Sequence, residues 1–166
     1  MVEPKEDIRI RKMVDADLAK VNEIDRALVG DKRATTWPFS FETYWSVYHP
    51  ELAWVAELNG EVVGFLAGYI KQTEGTNSIL RRADMQVMPP TRHQMVGWIE
   101  IIGVAPKGQY KGIGRQLVEA FIKECESEDA LVNCLVRIGD EFLANFYANI
   151  GFKPWDTMIY FKPWKQ

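Results

Sequence analysis

Between Val96 and Glu126 the sequence passes from a dense apolar run, through a short turn with glycines at 112 and 114, into a segment whose apolar residues recur four apart. The run Val96 to Val104, interrupted only by Glu100 and ending before Ala105-Pro106, reads as a buried strand. Ile113, Leu117, Phe121 and Cys125 mark the inner stripe of a helix over Gly112 to Glu126, with Glu119, Lys123, Glu124 and Glu126 largely on its other sides. A helix that begins this way presents first-turn N–H groups with no intrahelical acceptor and with partial positive charge, which suits an anion. Gly112 and Gly114 put no side chain in the way of phosphate oxygens, while Gln109 and Lys111 offer a neutral donor and a cation. Taken alone, Gln-x-x-Gly-x-Gly fits a plain connecting turn equally well. There is no Gly-x-x-x-x-Gly-Lys-Ser/Thr, and Gly112-Ile113-Gly114 is followed by Arg115-Gln116-Leu117 instead of a third glycine, so neither ATP nor a dinucleotide is favoured.

Around this junction the chain alternates strands and helices. Ile8 to Lys12 has the alternation of an edge strand, and Asp15 offers an N-cap to a helix with Leu18, Val21, Ile24 and Leu28 on one stripe. A shorter helix follows Ser40, with Phe41, Tyr44, Trp45 and Tyr48 at helical spacing and Pro50 beyond its end. Leu52 to Leu58 and Glu61 to Lys71 are strands joined by Asn59-Gly60, a dipeptide that takes the positive φ angles of a tight hairpin. From Gln72 to Gln94 the periodicity is lost and a long irregular surface excursion is expected. Leu131 to Ile138 reads as a strand, and Asp140 caps a helix carrying Phe142, Leu143, Phe146, Tyr147 and Ile150 that stops at Gly151. Phe152 to Trp155 and Met158 to Phe161 are expected as closing strands.

At 166 residues, 47% hydrophobic and 26% charged, with no repeat and no linker, the chain is expected to form a single domain over residues 1–166. A net charge of −3 lacks the basic footprint of a nucleic-acid binder. Its apolar runs are too short to span a bilayer, so no membrane partner is expected. The charged N-terminus lacks a signal-peptide core, and Cys125 and Cys134 form no metal-ligand or disulfide pattern, which makes the cytoplasm the expected compartment and excludes a metal cofactor.

In three places the sequence resembles the GCN5-related N-acetyltransferase (GNAT) family: Ile99-Glu100-Ile101-Ile102-Gly103-Val104-Ala105-Pro106, Gln109-Tyr110-Lys111-Gly112-Ile113-Gly114, and Asn145-Phe146-Tyr147-Ala148-Asn149-Ile150-Gly151-Phe152. The order of elements matches from about Ile8 to Phe161. The resemblance implies an α/β fold of the α+β type, with a mixed, twisted central sheet whose middle strands splay apart between flanking helices. It further implies that acetyl-coenzyme A is the co-substrate. Its arm would lie beside the strand end at Ile102, Gly103 and Val104, and its pyrophosphate on Gln109, Tyr110, Lys111, Gly112, Ile113, Gly114 and Arg115. Asn145 would contact the coenzyme, an assignment for which capping or surface exposure is an equal alternative. Two positions depart from the commoner family pattern: Asp140 stands where many members carry Asn, and Gln109 where Arg is more frequent.

Acetyl transfer to an amine needs a base for the amine proton, a stabilised oxyanion and a donor for the departing thiolate. By resemblance Glu100 is the base and Tyr147 the donor. The residues alone leave Glu100 equally readable as a structural carboxylate or an ammonium anchor, and Tyr147 as a core aromatic. The expected partner is an amine-bearing small molecule or a protein or peptide N-terminus, and a homodimer is left open. Trp37, Phe39, Tyr44, Trp45 and Tyr48 fall where the family lines its acceptor entrance, with Asp25 or Glu42 as ammonium holders and Arg81, Arg82 and Arg92 on the long loop beyond. Core packing and solvation are the competing readings of these groups. The alternative function is a noncatalytic acyl-coenzyme A sensor, against which the joint presence of Glu100 and Tyr147 argues.

Overall fold

A computed structural model describes residues 6–30, 39–72, 95–137 and 139–154. Its described strands form one five-stranded sheet in the order of the chain: β1 (Ile8–Lys12), β2 (Leu52–Leu58), β3 (Glu61–Gln72), β4 (Met95–Val104) and β5 (Ala130–Cys134). The first four are antiparallel neighbours and β5 joins β4 in parallel, so the sheet is mixed as expected. Between β2 and β3 the two-residue loop holds Asn59 at φ +53° and Gly60 at φ +83°, the pair of left-handed residues a twisted hairpin needs.

Helices cover both faces, which is why the middle of β3, Val63 to Gly68, is buried throughout. On one face α1 (Leu18–Val29) and α2 (Phe41–Tyr48) pack Val21, Ile24, Phe41 and Tyr44 onto Val55, Phe65 and Ala67. On the other, α3 (Ile113–Ser127) sets Ile113, Leu117, Val118 and Phe121 against Trp54, Val63, Leu66 and Ile99. Tyr147 of α4 (Glu141–Ala148) joins this second core.

The expected N-caps hold at α2, where Ser40 Oγ accepts the Thr43 N–H, and at α4, where the Asp140 carboxylate accepts the Leu143 N–H, although α4 ends at Ala148, short of the expected stop at Gly151. At α1 the cap differs. The α-helix starts at Leu18 after a short 3-10 turn, Asp15–Asp17, and it is Asp17, not Asp15, whose carboxylate accepts a main-chain N–H, that of Val14. Arg11 on β1 fixes that choice by holding Asp17 with two guanidinium N–H groups at 2.7 and 2.8 Å, while Asp15 accepts from the Trp45 indole.

Two strand expectations are also corrected. β5 ends at Cys134 instead of Ile138, because β4 offers it no pairing edge beyond Ile99, and Leu135 is exposed. Phe152 to Pro154 forms no strand, while Trp155 and Met158 to Phe161 lie outside the described residues, as does nearly all of the Gln72 to Gln94 excursion.

Candidate active site

Two irregularities of β4 coincide. Toward β3 its register runs Ala67 to Ile101 and then Gly68 to Ile99, leaving Glu100 as an extra residue in a β-bulge. Toward β5 its pairing stops at Ile99 with Cys134. A bulge bends its strand and increases the local twist, which carries the rest of β4 away from β5 and opens a notch between them. The peptide groups lining this notch follow from alternation. Ala105 donates its N–H to Val63, so Ala105, Gly103 and Ile101 face β3, and Ile102 and Val104 turn their N–H and C=O groups toward the opening. Gly103 is there for packing: a Cβ at that position would lie 2.7 Å from the Phe65 ring and 2.9 Å from Leu28.

The glycine turn follows directly. Gly112 is the N-cap of α3 at φ +77°, no side chain caps the helix, and its first helical bond is Gln116 N–H to Gly112 C=O. The N–H groups of Ile113, Gly114 and Arg115 therefore have no intrahelical acceptor. A Cβ on Gly112 would meet nothing within 4 Å, so this side of the turn is open. Gly114 differs, since its Cβ would fall 3.1 Å from the Phe146 ring and its absence lets α3 and α4 approach.

The side chains expected on the phosphate are engaged elsewhere. The Gln109 amide donates to Val104 C=O at 3.0 Å, replacing the partner that carbonyl lost when β5 diverged. Lys111 pairs with Glu6, and Arg115 donates to Asn149 C=O at 2.6 Å and lies 3.5 Å from Glu119. Tyr110 stands 92% exposed at φ +62°, and Asn145 is exposed on α4. What the turn leaves open to a ligand is therefore backbone N–H groups, while Gln109, Lys111 and Arg115 bond to neighbouring groups around it.

Glu100 faces the α1 and α2 side of the sheet. Its carboxylate accepts a hydrogen bond from Tyr44 and feels the Lys71 ammonium, and both hold its pKa down, but burial outweighs them and sets it above the ordinary glutamate value. Tyr44 is itself pushed far up by burial and then by Glu100, and Tyr69 likewise. Across this face Tyr69 pairs with Trp98 and Trp98 with Asn133, placing the three in one row beside Glu100. The Asn133 Nδ2 is buried and has no hydrogen-bond partner among the described residues.

Tyr147 lies on the opposite face. Only 4% exposed, it packs against Phe146 and Phe152 and approaches Cys134, the last paired residue of β5. Burial keeps its phenol protonated far above neutral pH, and among the described residues no acceptor pairs with its hydroxyl. Glu100 and Tyr147 thus lie on opposite faces of the sheet, Glu100 one residue past the last β4–β5 pair and Tyr147 near its Cys134.

The expected ammonium holders are occupied: buried Asp25 accepts the Phe41 N–H, and Glu42 lies 3.4 Å from Arg26. Trp37, Arg81, Arg82 and Arg92 lie outside the described residues. No cluster of metal-binding side chains occurs among the described residues. Sequence reasoning assigned Tyr44 to the entrance aromatics and passed over Tyr69, Lys71 and Asn133. Their period-two spacing was visible, but the bulge that brings Glu100 to them was not.

An uncapped helix N-terminus beside a strand edge that β5 leaves unpaired could hold an anionic ligand with an extended, amide-bearing arm. The sequence model of the acetyltransferase (GNAT) family matches residues 21–152, and the chain belongs to that family. It is 27% identical over 139 residues to mycothiol acetyltransferase of Renibacterium salmoninarum, covering 80% of this chain and 41% of that protein. To mycothiol acetyltransferase of Paenarthrobacter aurescens it is 31% identical over 72 residues, 43% and 22% of the two chains. The chain therefore spans less than half the length of these curated relatives. Among solved structures, the aminoglycoside N-acetyltransferase AAC(6′)-Iy in complex with CoA superposes with a TM-score of 0.71 at 14% identity, covering 98% of this chain and 99% of that one. Arabidopsis thaliana Naa50 in complex with the bisubstrate analogue CoA-Ac-MVNAL gives 0.61 at 17% identity over 88% and 83%. These likenesses show the same fold.

Proposed function

We propose that the chain is an acetyl-coenzyme A-dependent N-acetyltransferase that moves the acetyl group directly to a primary amine of a small molecule or a protein N-terminus. The observation that carries this reading is the coincidence at one break in β4 of three features: an uncapped helix N-terminus, unpaired strand peptides and a buried carboxylate. The N–H groups of Ile113, Gly114 and Arg115 would receive the pyrophosphate. Peptide groups of Ile102 and the N–H of Val104 would pair with the coenzyme's amides. The coenzyme supplies the thioester carbonyl and a thiolate leaving group.

Glu100, whose raised pKa brings it closer to neutrality, would accept the proton of the incoming ammonium, directly or through water, so that the amine nitrogen can attack the carbonyl carbon. As the carbon–sulfur bond breaks, the Tyr147 hydroxyl would give its proton or a hydrogen bond to the departing sulfur. A covalent cysteine intermediate is disfavoured, because burial pushes Cys125 up to about 11 and Cys134 to about 12, leaving both as thiols. The unpaired Asn133 amide on the Glu100 face suits a polar atom of the acceptor. The relatives' names cover a mycothiol enzyme, an aminoglycoside enzyme and a complex with a peptide-bearing analogue, which keeps small-molecule and peptide amines together as acceptor classes.

No described helix is long and apolar enough to cross a membrane, and the two free thiols suit the cytoplasm, which is the compartment we propose. The test is a panel of amines and N-terminal peptides incubated with acetyl-coenzyme A and read by released thiol and acceptor mass. Acetylated product from at least one amine supports the reading. Tight coenzyme binding with no product from any would instead favour the noncatalytic sensor.

A further inference from the structure

The Tyr44–Glu100 contact joins two elements that the fold fixes independently of each other. α2 is docked at its start, where the buried Asp25 carboxylate of α1 accepts the Phe41 N–H at 3.1 Å and the Phe41 ring meets Phe65 of β3 edge-on at 4.9 Å between centroids. Tyr44 follows one turn later, 1% exposed, with its ring 5.9 Å from Phe41 and 5.4 Å from Tyr48. β4 meanwhile presents Glu100 through its bulge, outside the regular ladder with β3. The phenol and the carboxylate meet where these two constraints converge, on the face away from α3.

We propose that Tyr44 is a positioning residue for Glu100: its hydroxyl donates to the carboxylate and fixes its orientation at the break in β4. The proposal rests on the reading of Glu100 as the amine's base. A carboxylate on a bulge has no ladder partner to fix it, and burial favours its protonated form, which cannot accept the amine proton, while a donated hydrogen bond favours the ionised one. A phenol that gave its proton up to the carboxylate would defeat the purpose, but Tyr44 stays protonated because burial, and then the neighbouring Glu100, both push its pKa up. Among the described residues the groups facing Glu100 are Tyr44 from α2 and Tyr69 and Lys71 from β3; Tyr48 adjoins Tyr44, and Asp25 of α1 accepts the Phe41 N–H. Lys71 is exposed and screened by solvent. Tyr44 is therefore the donor on which the carboxylate depends.

The experiment reads Glu100 directly and needs no acceptor. Protein carrying 13C-labelled glutamate side chains is titrated by NMR, with the Glu100 signal assigned by its loss in Glu100→Gln. Tyr44→Phe removes one hydroxyl and keeps the ring, and the Glu100 midpoint is expected to rise by about one pH unit. Phe41→Leu, which loosens the docking of α2 without touching the hydroxyl, is expected to move it far less. An unchanged midpoint in a folded Tyr44→Phe protein, or equal shifts in the two variants, would overturn the proposal. Should Tyr44→Phe fail to fold, the wild-type protein decides. Slow exchange of the Tyr44 hydroxyl proton above the Glu100 midpoint, and fast exchange below it, supports the bond; fast exchange throughout overturns it. The base reading fails separately, if Glu100→Gln leaves the acidic limb of the turnover–pH profile in place.

Discussion

The sheet face that carries α3 and α4 and the face that carries α1 and α2 converge on the same break in β4, yet they are made of different materials. On the α3 side the groups proposed for recognition are main-chain: three uncapped N–H groups, an open glycine at 112 and strand peptides that β5 leaves unpaired. On the α2 side they are buried side chains, Glu100, Tyr44, Tyr69 and Asn133, whose positions depend on one bulge. A backbone site tolerates varied side chains and selects a charge pattern common to all coenzyme A thioesters. A side-chain site selects an individual acceptor. The division implies that coenzyme affinity and turnover respond to different substitutions.

The largest expected effect is on the α2 side. Glu100→Gln should lower turnover about a thousandfold while leaving coenzyme affinity intact, as steady-state rates and calorimetry would show. Stability should move the other way. A carboxyl whose folded-state pKa is raised prefers to be protonated in the fold, so ionising it as pH rises through that value costs stability. Glu100→Gln should thus raise the melting temperature at neutral pH, with the gain disappearing below about pH 4, the ordinary glutamate range. A loss of activity accompanied by lower neutral-pH stability would mark Glu100 as structural.

Tyr147→Phe comes next, from the α3 side, and should slow turnover about tenfold or more through loss of one donor to a developing thiolate, with unchanged coenzyme affinity. Equal losses in affinity and rate would make Tyr147 part of the cradle. Asp17, remote from the notch, has the opposite pH sign to Glu100. Its hydrogen bonds from Arg11 hold its carboxyl below the ordinary range, so its contribution is complete above about pH 4 and fades as pH falls through the lowered value. Asp17→Asn should cost about 2 kcal/mol in urea unfolding at neutral pH, less in acid, and leave catalysis nearly unchanged per folded molecule. The smallest effect belongs to Gly114→Ala, which should cost about 1 kcal/mol as the Phe146 ring shifts by a few tenths of an ångström. Its coenzyme affinity should fall only slightly, which would separate a packing glycine from a phosphate-facing one.

This contrast also explains what the sequence disclosed. Ser40, Asp140 and Asn59-Gly60 act through neighbours a few positions away, and their turns and caps were legible in order. So was the turn from Gln109 to Gly114, because a strand, glycines and an amphipathic helix are local signals. Asp17 displaced Asp15 through a guanidinium on a different element. Gln109 gave up its phosphate-facing role because a carbonyl five residues earlier had lost its strand partner. Tyr44, at helical spacing with Phe41 and Tyr48, looked like an entrance or core aromatic and is core by burial, but its hydroxyl has a destination that only tertiary structure supplies. Side-chain sites built across elements leave little trace in one sequence, whereas sites built from a turn and a helix end do.

The central claim, that the turn at Gly112 holds the coenzyme while Glu100 acts only in the transfer, is tested most directly by calorimetric titration of acetyl-coenzyme A into Gly112→Asp and Glu100→Gln. Residue 112 has a left-handed backbone, which Asp tolerates, and a Cβ there meets open space on the side of the proposed anion site, so a negatively charged side chain brings like-charge repulsion to the pyrophosphate. The account predicts affinity weakened by at least about thirtyfold in a folded Gly112→Asp protein and wild-type affinity in Glu100→Gln. Unchanged affinity in folded Gly112→Asp would contradict it.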